Sequence, residues 1–257
     1  MKNKNTTALL VACATLLASA AAFAQAPSPL ENARAALAQN DLAAAEALLT
    51  PLVTGEKPDA AACHQLGLLR LRQGRAKDAI ELLERATKLD ATHADTFAAL
   101  GMAVGTRMSQ VSFMQQAMLS MKLKKAFAKA VELDPHNVSG LIGLARFYTN
   151  APEIAGGSIE KARDYAARVK QIVPFLGELE YGNIAEHHED YATALTHYEA
   201  AALAAPKNVD PHLAAARVLA KLDRPEDARQ HLAAALEIAP AHPAAQTALA
   251  ALPPPRG

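Results

Sequence analysis

Ser158-Ile159-Glu160-Lys161 spaces a hydroxyl and an amine as the Ser-x-x-Lys string of penicillin-binding proteins and β-lactamases does, which would make Ser158 a nucleophile. The companion Lys-Thr-Gly motif is absent. Ser158 also follows two glycines and precedes the helical stretch Ile159–Gln171, so helix capping is its expected role. Met102, Met108, Met114, Met118 and Met121 gather in one segment. Thioethers suit Cu(I), and Met114, Met118 and Met121 fall on one helical face. The same spacing, extended by Val111, makes a core stripe, which is the expected role. A hydrophobic docking patch at Met108, Met114, Met118 and Met121, or a copper site within 102–121, are the alternatives. Glu186-His187-His188-Glu189 with His197 nearby gathers metal-binding side chains, but without a His-Glu-x-x-His string. Adjacent His187 and His188 point to different helix faces, so a solvated helix end is expected there. No Gly-x-x-x-x-Gly-Lys phosphate loop occurs. These motifs give no catalytic constellation, and neither enzyme activity, a cofactor nor a resident metal is expected.

The 257 residues are 51% hydrophobic with a formal net charge of zero, which places the chain among globular proteins. The neutral balance gives no support for general nucleic-acid binding. Lys2 and Lys4 precede an apolar run, Ala8 to Ala22, and Ala22-Phe23-Ala24 has the pattern of a cleavage site. A secretory signal over residues 1–24 is therefore expected, with a periplasmic or secreted mature protein of net charge −2 and no stable membrane insertion. Leu10-Val11-Ala12-Cys13 looks like a lipoprotein box, but the apolar stretch before Cys13 is too short to favour lipidation. Cleavage after Ala24 leaves Cys63 as the one cysteine, expected to be buried and inert.

What must position these residues is a 34-residue beat. Ala60–His93 carries Leu66-Gly67 early, Gly74 in the middle, then Ala79, Leu83 and Ala86. Val209–His242 repeats the second half with Ala228, Leu232 and Ala235 at the same offsets. Apolar residues three or four apart on each side of Gly74 predict a helix–turn–helix pair. Pro135, Pro174, Pro206 and Pro240 mark breaks elsewhere, and His93, His136 and His242 fall at unit boundaries as loop residues.

The pattern resembles the tetratricopeptide repeat family over nearly all of the mature chain. The large-small pair of the first helix appears as Leu66-Gly67, Leu100-Gly101 and Tyr181-Gly182, and degenerately as Leu144-Ala145 and Ala215-Ala216. The second-helix triplet appears as Ala194, Tyr198, Ala201 and as Ala228, Leu232, Ala235. The resemblance implies an all-α superhelical solenoid of about six helix pairs, at 26–59, 60–93, 94–137, 138–174, 175–208 and 209–242. A capping helix at 243–252 and a frayed tail at 253–257 would follow. The third unit exceeds the period by ten residues, and the fourth carries Ala151-Pro152-Glu153-Ile154-Ala155-Gly156-Gly157-Ser158 in place of a short turn. Together these features look like a subgroup of exported bacterial repeat proteins.

In the resembled family the first helices line a concave groove that holds a peptide. Its facing positions map here to Arg34, Arg72, Arg146 and Asn150, and to Asn183, His187, Arg217 and Lys221. A recurring guanidinium on one face suits carboxylate-bearing segments, although a solvated basic ridge would look the same. On the first reading, reversing Arg146 and Arg217 weakens capture and leaves thermal stability unchanged. The family's clamp for chaperone C-terminal carboxylates needs Lys and Asn where this chain has His64 and Leu68, or Leu30 and Arg34, so that clamp is absent. The expected function is an exported scaffold that binds another protein through its groove, in assembly or maintenance of the cell envelope. Periplasmic copper handling by the Met-rich segment is the alternative.

Overall fold

A computed structural model of the chain describes residues 27–253, so the expected signal segment and the last four residues of the expected tail lie outside the described residues. The described residues form thirteen α-helices and no strand. In chain order they are α1 (Pro29–Ala38), α2 (Leu42–Thr54), α3 (Ala60–Arg72), α4 (Ala76–Leu89), α5 (Ala94–Met108) and α6 (Phe113–Leu133). Then come α7 (Val138–Asn150), a 3-10 turn (Glu153–Ala155), α8 (Ile159–Ile172), α9 (Pro174–His187) and α10 (Tyr191–Ala204). The described helices close with α11 (Val209–Lys221), α12 (Pro225–Ile238) and α13 (Pro243–Ala251). The fold is an all-α solenoid, and along the chain the described residues run as six helix pairs and one further helix.

Internal contacts divide the chain into two units, 1–49 and 50–257. In the first, Ser28 caps α1 through a capping box: its hydroxyl accepts from the Glu31 amide and Glu31 accepts from the Ser28 amide. Ala33, Ala45 and Leu49 are its buried residues. In the second unit each helix packs against the next in sequence. First helices also touch the first helix of the following pair, α3 with α5, α5 with α7 and α7 with α9.

Local chemistry sets the helix ends. Asp59, Asn137, Ser158 and Asp190 each accept a backbone amide at the start of α3, α7, α8 and α10. Proline opens α9, α12 and α13, where a missing N–H costs nothing. Turns that close a pair reuse one backbone solution: Asn40, Gly74, Glu189 and Asp223 all adopt positive φ, between 54° and 73°.

Close helix approach depends on the small residue of each large-small pair. A Cβ on Gly67 would fall 2.7 Å from Leu83, one on Gly101 2.6 Å from Phe127, and one on Gly182 2.3 Å from Tyr198. Phe127 also presses on Gly143, so this ring fills the space between α5 and α7. The third pair keeps that contact although its chain is longer. Most of its extra length goes to α6, which has 21 residues against 14 in α4. The surplus lies N-terminal to Phe127 and extends the helix beyond the shared packing contact.

Here the expected core stripe is overturned. Phe113, Met114, Met118 and Met121 are 86, 80, 76 and 51% exposed, and Met102 is 42% exposed. Spacing put Met114, Met118 and Met121 on one face correctly, but that face has no helix against it. The buried residues of α6 are Ala126, Phe127 and Ala130, in its C-terminal half.

Candidate interaction surfaces

α7 and α9 are consecutive first helices, and a cavity of about 310 Å³ opens between them. Arg146, Thr149 and Asn150 come from α7, and Glu180, Asn183 and His187 from α9. Arg146 grips Glu180 with two nitrogens, Nε at 3.0 Å and Nη2 at 2.7 Å from Oε1. Glu186, also on the wall, accepts from Arg217 of α11, Nε to Oε1 at 2.8 Å and Nη2 to Oε2 at 2.7 Å. The Tyr198 hydroxyl lies 2.7 Å from Glu186 Oε2 and 2.9 Å from Asn183 Oδ1. Asn183 Nδ2 donates onward to Glu180 Oε1 at 3.4 Å. One polar network thus joins α7, α9, α10 and α11.

Burial is unequal within this network. The Glu180 side chain is 3% exposed and Glu186 21%, whereas Arg146 and Arg217 are 59% and 52% exposed. The carboxylates lie inward and the guanidiniums outward, and of the two arginines Arg146 lines the cavity. Burial works against the Arg146 charge, but the hydrogen bonds and charge of Glu180 outweigh it, so its pKa rises. For Arg217 the hydrogen bonds to Glu186 dominate, and its pKa rises too. Burial alone would raise the Glu186 pKa; hydrogen bonds from Arg217 and Tyr198 reverse this and hold it below the usual carboxylate value. Burial first, then the Glu186 carboxylate, pushes the Tyr198 phenol well up, so it stays a donor. Gly182 makes the last contact possible, because only a residue without Cβ lets the Tyr198 ring lie against α9.

Four of the residues expected to face a peptide, Arg146, Asn150, Asn183 and His187, line this cavity. Arg217 joins them through Glu186, and Lys221 is close enough to act on the same carboxylate. Asn150 spends its amide on the Arg146 carbonyl, at 2.7 Å. Arg72 is exposed at the end of α3 and does not line the cavity, and Arg34 is exposed on α1. At Arg146 and Arg217 the guanidiniums are engaged in ion pairs that the fold itself supplies. Reversing these charges therefore strips buried or half-buried carboxylates of their partners, so unchanged thermal stability no longer follows.

Glu180, Glu186 and the Tyr198 hydroxyl were not anticipated as part of the site. The signal for Glu180 was present: it lies with Gly177 and Ile184 on the buried stripe of α9, and Arg146 precedes it by one 34-residue cycle. A carboxylate on an inward stripe requires a cation, and one period away is the place to seek it.

Other singled-out residues have structural partners. Ser158 accepts from the Lys161 amide at 3.3 Å as the cap of α8, while the Lys161 ammonium lies over the Tyr148 ring. His197 bonds Glu178 at 2.7 Å and stacks on Tyr181, away from His187 and His188, which contact each other edge-on. His242 caps α13, and Cys63 is fully buried with its thiol pKa raised by that burial.

A second concavity, about 730 Å³, lies between α4, α5 and α6. Phe97, Leu100, Met118 and Met121 form its apolar lining. Lys88, Lys122, Lys125 and Lys129 stand around it. Met108 is half-buried at the end of α5 and Met114 is exposed on the first turn of α6; neither lines this concavity.

A stack of antiparallel helix pairs with glycine-mediated approach defines an α-solenoid repeat protein. Tetratricopeptide repeat models match residues 30–94 and 186–252, together about half of the sequence, and the chain belongs to the tetratricopeptide repeat family. Similar solved structures include a tetratricopeptide repeat protein from Parabacteroides merdae, with TM-score 0.69 and 12% identity over 93% of this chain and 88% of that one. PilW, a type IV pilus biogenesis factor, aligns with TM-score 0.66 and 14% identity over 86% of this chain and 96% of its own. A chain of the APC/C hetero-tetramer Cut9–Hcn1 aligns with TM-score 0.64 and 16% identity over 87% of this chain, which spans only 42% of that relative. No curated protein sequence matches the chain.

Proposed function

We propose that the protein is an exported, non-catalytic scaffold that holds an extended segment of a partner protein in the cavity between α7 and α9. The observation that carries this reading is the state of two guanidiniums, Arg146 on the cavity wall and Arg217 paired to the wall residue Glu186. Arg146 and Arg217 each commit the Nε–Nη2 edge to an inward carboxylate, which fixes the guanidinium plane and leaves the Nη1 donors directed away from that pair. A partner carboxylate or backbone carbonyl then meets donors whose orientation is already set, so less side-chain entropy is lost on binding. Asn183 and Thr149 add short polar groups on the wall. Export rests on the charged, apolar and small-residue pattern of the first 24 residues, and a role in the cell envelope follows from export to the periplasm. No observation favours the copper alternative over this one.

Photo-crosslinking in living cells tests the reading. A photoreactive residue at Asn150 or His187 is expected to give a discrete adduct, whereas one at exposed Glu199 on α10 gives none. Equal yields from all three positions would contradict a role for the cavity. Retention in the cytoplasm after cell fractionation would contradict export and leave the cavity assignment intact.

A further inference from the structure

The proposed groove leaves the outer face of α6 unused, and this face has its own pattern. Met114, Met118, Met121 and Lys125 follow one another at intervals of four, three and four residues, and all are exposed. That alternation is the seam of a helix that packs lengthwise against another helix. Near Lys125 the seam runs into the concavity whose floor is Phe97 and Leu100. Along the extra turns at the start of α6, Phe113, Met114, Gln115, Ala117 and Met118 all face solvent.

Charge around the seam is one-sided. Four lysines border the concavity against one carboxylate, Glu84, which Lys122 already engages at 2.7 Å. Lys129 pairs with Glu132 at 2.6 Å, and Lys124 is held over the Phe147 and Tyr148 rings at 5.1 Å from each. Lys88 and Lys125 have no carboxylate partner among the described residues. The surface therefore combines an apolar helical seam with uncompensated positive charge.

We propose that the outer face of α6, with α4 and Phe97, docks an amphipathic helix of a partner protein whose apolar stripe is flanked by acidic residues. The four-three-four spacing selects a helix over an extended strand, because the apolar groups recur once per helical turn. Methionine suits the role, since its flexible thioether side chain fits apolar partners of varied shape. The lysines select acidic flanks and set the partner's position along the seam, with Lys125 occupying a seam position itself. A second copy of this chain is a poor occupant, because it would oppose lysine to lysine. A lipid surface would reach the methionine ridge but leave the floor at Phe97 and Leu100 unfilled.

The test uses the purified protein and two fluorescent helical peptides of about 21 residues, both with leucine at the heptad seam positions and one with glutamate, the other with lysine, at the flanks. Anisotropy is expected to give saturable binding of the glutamate peptide at tens of micromolar and at least ten-fold weaker binding of the lysine peptide. Met118→Ser with Met121→Ser should weaken the glutamate peptide at least five-fold. Lys88→Glu with Lys125→Glu should abolish or invert the preference, with the melting temperature unchanged because these side chains are exposed. No saturable binding up to about 1 mM, or equal affinity for both peptides, overturns the proposal. So does loss of binding to phosphatidylglycerol vesicles or of self-association in the methionine variant, when the peptides themselves do not bind.

Discussion

The cavity between α7 and α9 and the outer face of α6 handle polar and apolar groups in opposite ways. At the cavity, charge is placed inward and satisfied: Glu180 is nearly enclosed, and each carboxylate has a guanidinium or phenol in hydrogen-bond contact. On α6, apolar side chains are placed outward without cover, and two lysines lack a carboxylate partner among the described residues. The first arrangement is rigid before any partner arrives; the second can adapt its shape. A helical repeat thus offers two kinds of binding surface, and which one appears depends on whether the next helix extends far enough to cover it.

The largest expected effect lies within α6 itself and separates its two halves. Phe127→Ala, which empties the space between Gly101 and Gly143, should cost about 3–4 kcal/mol in urea unfolding. Met118→Ser should stay within about 0.5 kcal/mol. Comparable losses would erase the contrast between a packed and an uncovered half. At the cavity, Arg146→Ala should cost about 2 kcal/mol, less than for a fully enclosed pair because the guanidinium is 59% exposed. Replacing both partners, Arg146→Met with Glu180→Leu, should recover most of that loss. A double variant as weak as the single one would mean that the network depends on more than this pair.

Acid should weaken the cavity through Glu186. The folded pKa of Glu186 is lowered, so its contribution is complete above the unfolded value near 4.5 and is lost as pH falls through the folded value. Glu186→Gln should remove this part of the acid sensitivity, worth about 1 kcal/mol in denaturant titrations at pH 7 and pH 3. A smaller effect is expected near pH 6. His212 and His231 share a 3.3 Å contact between α11 and α12, and burial lowers both pKa values. Glu199 and Asp227 partly oppose the shift at His231, and Arg224 adds to it. Since both histidines are held neutral, stability is full above the unfolded value near 6.5 and declines as pH falls through the folded values. His212→Gln should flatten that decline, as read from melting temperatures between pH 7.5 and pH 5.

Much of the fold was legible because its determinants are local. Gly74 announced a turn, Ser158 a cap, and Leu66-Gly67 a close helix approach, each from a few neighbouring residues. The polar network was harder, because its pairs join residues about one repeat apart: Arg146 with Glu180, Arg217 with Glu186. Tyr198 was read as a packing residue and is one, but its hydroxyl also ties Asn183 to Glu186. The methionines misled for a different reason. Periodicity shows that side chains share a face; whether another helix covers that face depends on the relative lengths of α4 and α6, which the stripe does not encode.

The central claim is that the α7–α9 cavity holds the partner. Adding the segment recovered by crosslinking, as a synthetic peptide, to isotope-labelled protein tests it most directly. The account predicts that the side-chain resonances of Arg146, Asn183 and Arg217 shift in a saturable way, while the methyl groups of Met114, Met118 and Met121 stay in place. Shifts confined to those methionines, with the cavity side chains unmoved, would contradict it.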